Sequence, residues 1–200
     1  MVFIVLLYVP AWLAAQTLMM DFQAGVGGSK LEPRPTSPFL QYERFPAFNI
    51  GTGLELLYKN NQISPYLGLW WEFGGEKENP VKTITVPLMI KATFGKEIRF
   101  YAQGGLAGVY IYERSRRYKT SDFSSIYGIG MEIPTKAGDY FYAEYIHLAG
   151  IGSIYDQEMN VPGVGFQRIE NYHIRQYLSF GFKFYLGGKP VYYKYRLRTE

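Results

Sequence analysis

The stretch 173–186, HIRQYLSFGFKFYL, alternates in character almost without a break. Ile174, Leu178, Phe180, Phe182, Phe184 and Leu186 share one face, with Gln176 the one exception. Arg175, Tyr177, Ser179, Gly181, Lys183 and Tyr185 share the other. A period of two marks a strand, because successive Cβ atoms point to opposite faces of a sheet. This strand is long, at fourteen residues; strands of soluble domains usually run to about five or six. One face carries two cations and the other large aromatics.

Seven earlier stretches repeat the pattern: 20–28, 47–58, 62–74, 81–94, 97–112, 122–133 and 139–149. Pro87, inside the fourth, removes a ladder donor and predicts a local bulge. Prolines at 33, 35, 38 and 46 predict a long loop over 29–46. A second long loop is predicted over 150–172. With shorter connections at 75–80 and 113–121, these alternate along the chain with tight turns at 59–61, 95–96 and 134–138. Antiparallel neighbours gather all longer loops at one end and all tight turns at the other. Outer-membrane barrels have that asymmetry.

The alternation places Asp21, Glu55, Glu72, Lys91, Arg99, Glu132, Glu144, Arg175 and Lys183 on one set of faces, five carboxylates with four cations. Charges are costly against lipid, and costly in an interior unless paired. A near-balanced set predicts a salt-bridged lumen network, with interspersed glycines leaving room for Arg, Tyr and Trp. Eight strands enclose little more than side chains, so the chain reads as an all-β, eight-stranded antiparallel transmembrane barrel with a filled lumen and no open diffusion pore. The alternative is a soluble lipocalin-type barrel, which would have its inside apolar and its outside polar. Here the long apolar runs lie opposite the charges.

The composition agrees. Over 200 residues, aromatics make up 18%, with 19 Tyr and 14 Phe. The mean hydropathy is −0.13, which suits a chain whose alternate residues alone meet lipid. There is no cysteine, which excludes disulfides and thiolate metal sites. The net charge of +4 comes without a large basic patch, so no nucleic-acid partner is expected. Residues 1–15, apolar and uncharged, read as a signal peptide, followed by a barrel over 16–188 and a basic, Tyr-rich periplasmic tail over 189–200.

The Ala14-Ala15-Gln16 processing region, the strand Thr85-Val86-Pro87-Leu88-Met89-Ile90-Lys91 and the strand YAQGGLAGVYIY over 101–112 resemble the small porin-like outer-membrane barrels of Gram-negative bacteria, especially the Bacteroidetes type. The resemblance covers nearly the whole mature chain. It implies location in the outer membrane, contact with its lipid and lipopolysaccharide, and handling by the barrel assembly machinery, with Phe184 or Leu186 as the terminal aromatic or apolar signal. The filled lumen, and not the resemblance, makes a structural or surface-binding role the expected one. A tail-docked periplasmic partner, in an accessory subunit of an envelope secretion or assembly machine, is one alternative.

A lipid A acyl hydrolase using His147 is another. Two residues after His147, where that enzyme type has its serine, this chain has Ala149, and Gly150 stands at the asparagine position. The hydroxyl that a histidine would activate is missing there. No catalytic residue is therefore assigned. His173 is expected to be solvated at a strand mouth. Glu76, Glu78, Asp122, Asp156 and Glu158 are scattered loop carboxylates without calcium-loop spacing, so no metal or cofactor is expected.

Overall fold

A computed structural model describes residues 17–34, 43–57, 62–75, 80–95, 97–113, 119–161 and 165–186. The expected signal peptide and tail, the turn at 59–61 and the middle of each long loop lie outside the described residues. The strands are β1 (Thr17–Arg34), β2 (Phe45–Leu57), β3 (Ile63–Gly75), β4 (Pro80–Phe94), β5 (Arg99–Glu113), β6 (Ser121–Pro134), β7 (Tyr140–Gly150), β8 (Tyr155–Val161) and β9 (Gly165–Leu186).

Each of β1 to β6 pairs antiparallel with the next, β7 pairs with β9, and β9 pairs with β1. The sheet therefore closes on itself with eight strands, β1 to β7 and β9. The closing ladder runs from Leu18↔Leu186 to Arg34↔Glu170. The β2–β3 ladder is much shorter, from Phe48↔Phe73 to Glu55↔Tyr66.

β8 has no separate place in the ring. β7 stays paired with β9 as far as Ala149↔Ile174, and β8 resumes the same side of β9 at Tyr155↔Asn171. The segment 150–154 is an excursion between them, held by Ile151 N–H to Phe123 O (2.7 Å) and Ile154 N–H to Asn171 O (2.9 Å). The long loop expected at 150–172 is thus largely a hairpin that continues β7 and β9 beyond the barrel. The loop expected at 29–46 is likewise shortened, because β1 continues to Arg34. Beyond Ser29 the pairing with β2 ends, and among the described residues β1 continues beside β9, with Pro33 opposite Asn171.

The bulge expected at Pro87 is also corrected. The β4–β5 register runs straight through Pro87↔Ala107 and shifts instead between Lys82 and Thr83, while the β3–β4 ladder is interrupted at Pro87 and Val86 without a change of register. On the β3 side Gly68 makes room for the buried ring: a Cβ there would stand 2.8 Å from Pro87 Cγ.

The two faces have opposite chemistry. Outward side chains are apolar and open, with Phe123, Ile129 and Ile90 between 63% and 67% exposed. Among the described residues, no charged side chain interrupts that belt between the two barrel rims. Inward, large aromatics lie over glycines on the adjacent strand: Trp70 over Gly51, Tyr101 over Gly130, Tyr142 over Gly181. Gly95 and Gly138 supply the positive φ (103° and 86°) at two turns of the tight-turn end. No helix among the described residues is long and apolar enough to cross a membrane; the strands provide the crossing.

A branched side chain at Gly51 would run into Trp70 and stand 2.9 Å from Leu69 O. Gly51→Val is expected to destabilise the barrel by about 1–3 kcal/mol through overpacking, read as a lower urea midpoint for unfolding from lipid vesicles. An unchanged midpoint would mean that the lumen has slack at this level.

Candidate functional site: the filled lumen

The interior is layered from the tight-turn end upward. Met19, Leu57 and Tyr140 close the bottom. Above them lies the first charged layer. Lys91 Nζ is 3.3 Å from Glu55 Oε2 and also meets Glu132 Oε1. Lys183 Nζ meets Glu55 Oε2 and is 2.7 Å from Glu132 Oε1. Two ammonium groups thus bridge the same two carboxylates across the lumen. Arg99 Nε stands 3.5 Å from the other oxygen of Glu132, and Ser64 donates to the other oxygen of Glu55 at 2.5 Å. Aromatic faces complete the cage: Lys91 sits 3.7 Å from the Tyr101 ring centroid and Arg99 4.9 Å from that of Tyr140.

The next two carboxylates are satisfied by neutral donors. Glu144 accepts from Tyr101 Oη and Gln103 Nε2, both at 2.8 Å. Asp21 accepts from Tyr66 Oη at 3.4 Å. With its amide turned to satisfy its neighbours, Gln23 donates to Glu144 Oε1 (3.0 Å) and accepts from Trp70 Nε1 (3.2 Å). A cavity of about 10 Å³ lies among Asp21, Glu144, Gln103 and Lys183. That is room for roughly one water, in a place polar enough to hold it.

An apolar layer including Trp70, Met89, Ala107, Ile126, Ile146 and Tyr177 separates this from a second charged group. There Arg175 Nη1 meets Glu72 Oε2 and lies 3.2 Å from Thr85 Oγ1, while Nη2 lies 3.1 Å from Ser124 Oγ. Thr83 donates to Glu72 at 3.1 Å. Leu31, Val81, Val109, Ile111 and Ile154 close the top. Among the described residues, side chains fill the column from the bottom layer to the top.

All nine lumen residues named from the sequence are buried. Glu55, Lys91, Arg99, Glu132 and Lys183 form one cluster, Glu72 and Arg175 another, and Asp21 and Glu144 are held by hydrogen bonds. Sequence reasoning missed Gln23 and Gln103, whose inward parity was readable, and the apolar cap, whose residues fall partly in stretches read as loops. His173 is corrected: it is 2% exposed, not solvated, because the extended β9 holds it opposite Leu31 at the level of the cap.

His147 points outward. Its Nδ1 is 3.0 Å from Gln176 Nε2, and its ring stacks on Tyr127 at 4.6 Å. Among the described residues no serine or threonine hydroxyl hydrogen-bonds to it. Ser153 donates to Tyr155 O at 3.2 Å and pairs with Asp156. That hydrogen bond, and then Arg168 at 2.6 Å, hold the Asp156 carboxyl below its usual range. No group of residues suited to a metal ion occurs among the described residues.

No family model matches the chain, and no curated protein does. Solved structures do. Neisserial surface protein A, NspA, aligns with a TM-score of 0.57 at 11% identity, covering 84% of this chain and 97% of its own. The fold is that of a small outer-membrane β-barrel. The outer membrane protein OprG from Pseudomonas aeruginosa aligns at 0.45 and 10% identity, over 86% and 97% of the two chains. Ail, the attachment invasion locus protein of Yersinia pestis, aligns at 0.43 and 14%, over 83% and 98%. These sources are Proteobacteria, so the narrower resemblance to the Bacteroidetes type gains no support.

Removing one cation of the lower cluster leaves two buried carboxylates sharing fewer partners. Lys183→Met is expected to cost about 3–5 kcal/mol of unfolding free energy, and Glu55→Met added to it should recover part of that loss. Reversible unfolding from vesicles provides the double-mutant cycle. Strictly additive losses would show that the cluster is not a coupled unit.

Proposed function

We propose that this chain resides in the outer membrane as a structural or surface-binding barrel and not as a diffusion pore. The observation that carries the reading is the lumen, closed by two charged groups and three apolar layers. The protein's variable chemistry then lies at its surface, where upper β1, β8 and upper β9 form a sheet rising past the ring. Lipid, lipopolysaccharide and the barrel assembly machinery are the partners this reading implies. A periplasmic partner docked by the tail over 189–200 remains part of the proposal as a separate question, answered by crosslinking with and without the tail. The Bacteroidetes assignment is not part of it.

The test is reconstitution of the full chain into planar bilayers. The expected result is a heat-dependent gel shift, recovery in the outer-membrane fraction and no sustained conductance steps. Steady steps of uniform size would overturn the closed-lumen reading, and soluble recovery without the gel shift would overturn the membrane one.

A further inference from the structure

The lower half of the lumen is closed at both ends. Met19, Leu57 and Tyr140 lie below it, and Trp70, Met89, Ile126 and Ile146 lie across it above. Between these layers the described residues place three buried cations, Lys91, Lys183 and Arg99. They place four buried carboxylates there, Glu55, Glu132, Asp21 and Glu144. Higher up, Arg175 and Glu72 pair one to one. The lower layer does not balance: four anions against three cations leave it one positive charge short. An uncompensated charge in a low-dielectric interior is strongly unfavourable, and a buried acid escapes that cost by taking a proton.

The contacts show which acids are left over. Glu55 and Glu132 are each engaged by both ammonium groups, and Arg99 adds a contact to Glu132 at 3.5 Å. Asp21 and Glu144 form no ion pair among the described residues. Asp21 accepts from Tyr66 at 3.4 Å, and Glu144 from Tyr101 and Gln103 at 2.8 Å. The two acids belong to β1 and β7, the neighbours of β9 on either side, and both line the cavity of about 10 Å³. Gln23, the next inward residue of β1, reaches Glu144 Oε1 at 3.0 Å.

We propose that Asp21 and Glu144 hold one exchangeable proton between them at neutral pH, which makes the sealed layer neutral. The proposal rests on the filled lumen of the membrane barrel. A metal cation would be repelled, because Lys91 and Lys183 line the same cavity; a proton sits on an oxygen and needs no coordination shell. Facing the pair are Tyr66 of β3, Tyr101 of β5, Tyr142 of β7 and the two ammonium groups, with Glu55, Glu132 and Arg99 behind them. Phenols and ammonium groups ordinarily titrate at alkaline pH, so near neutrality the two acids are the groups that exchange. The unfolded chain holds no proton on these acids at neutral pH and the folded chain holds one. Stability contributed by the site is therefore lost as the pH rises, by up to about tenfold in the unfolding equilibrium constant per pH unit until the proton has left.

The full-length protein is refolded into vesicles of an ether-linked phosphatidylcholine, which has no ester carbonyl, and the infrared C=O stretch of protonated carboxyl groups is recorded. The expected result is one carboxylic acid per chain at neutral pH, in the presence of Na⁺, lost at alkaline pH. Asp21→Asn and Glu144→Gln should each abolish the band, because either leaves the layer neutral without a proton. Glu55→Gln, outside the cavity but in the same layer, should abolish it too, whereas Glu72→Gln, in the balanced upper pair, should keep it. Absence of the band in the wild type would overturn the site, as would a band that Na⁺ removes. Survival in both Asp21→Asn and Glu144→Gln would overturn it as well, and loss in only one of them would end the sharing. A band that persists in folded Glu55→Gln would overturn the charge balance; if that variant does not fold, the two cavity variants decide. The heat-dependent gel shift separates the two readings: its absence in the wild type defeats the barrel, whereas its presence without the acid band defeats only the proton site.

Discussion

Inside a bilayer no water is present to satisfy a backbone N–H or C=O, so a spanning sheet has to leave none unpaired. Closure follows, and most of the rest follows from closure. A ring of eight strands is too narrow for a channel and too wide to be left empty. Its inward residues must fill a column, while its outward residues must tolerate lipid. The strict alternation along β4 and β9 is the record of these two demands acting on one chain.

The filling uses charge because alternation leaves the inward positions free of any need for hydrophobicity. The desolvation cost is met by sharing. Lys91 and Lys183 each serve both Glu55 and Glu132, so neither ammonium depends on one partner. Aromatic hydroxyls and amides take the carboxylates that the cations do not reach, as Tyr101 and Gln103 do for Glu144. Such a network ties β2, β4, β5, β6, β7 and β9 together through their side chains, in addition to the ladder.

Much of this was legible in the sequence because a period of two assigns faces before any fold is known. The inward place of Glu144 could be read from parity even where the faces of β7 were mixed. What could not be read was where strands stop once they leave the membrane. Pro33 reads as a loop residue because its place opposite Asn171 of β9 is a tertiary property. The hairpin of β8 and β9 has a weaker apolar alternation in sequence, although Ile169 and Asn171 are buried on its inner face, and so it reads as a loop. That error also hid the cap and the burial of His173, since Ile154 and Leu31 belong to those same stretches. Pro87 misled in the other direction: the bulge it suggested is unnecessary because Gly68 opposite has no side chain.

The ladders around the ring are unequal, and the longest joins the two ends of the chain. β1 and β9 stay in register from Leu18 to Arg34, whereas β2 and β3 do so only from Phe48 to Glu55. That first-to-last seam is the non-local one, and it has the most paired residues to part. Any sideways breathing of the finished wall is thereby steered away from the chain's own ends and toward the short seam between its second and third strands.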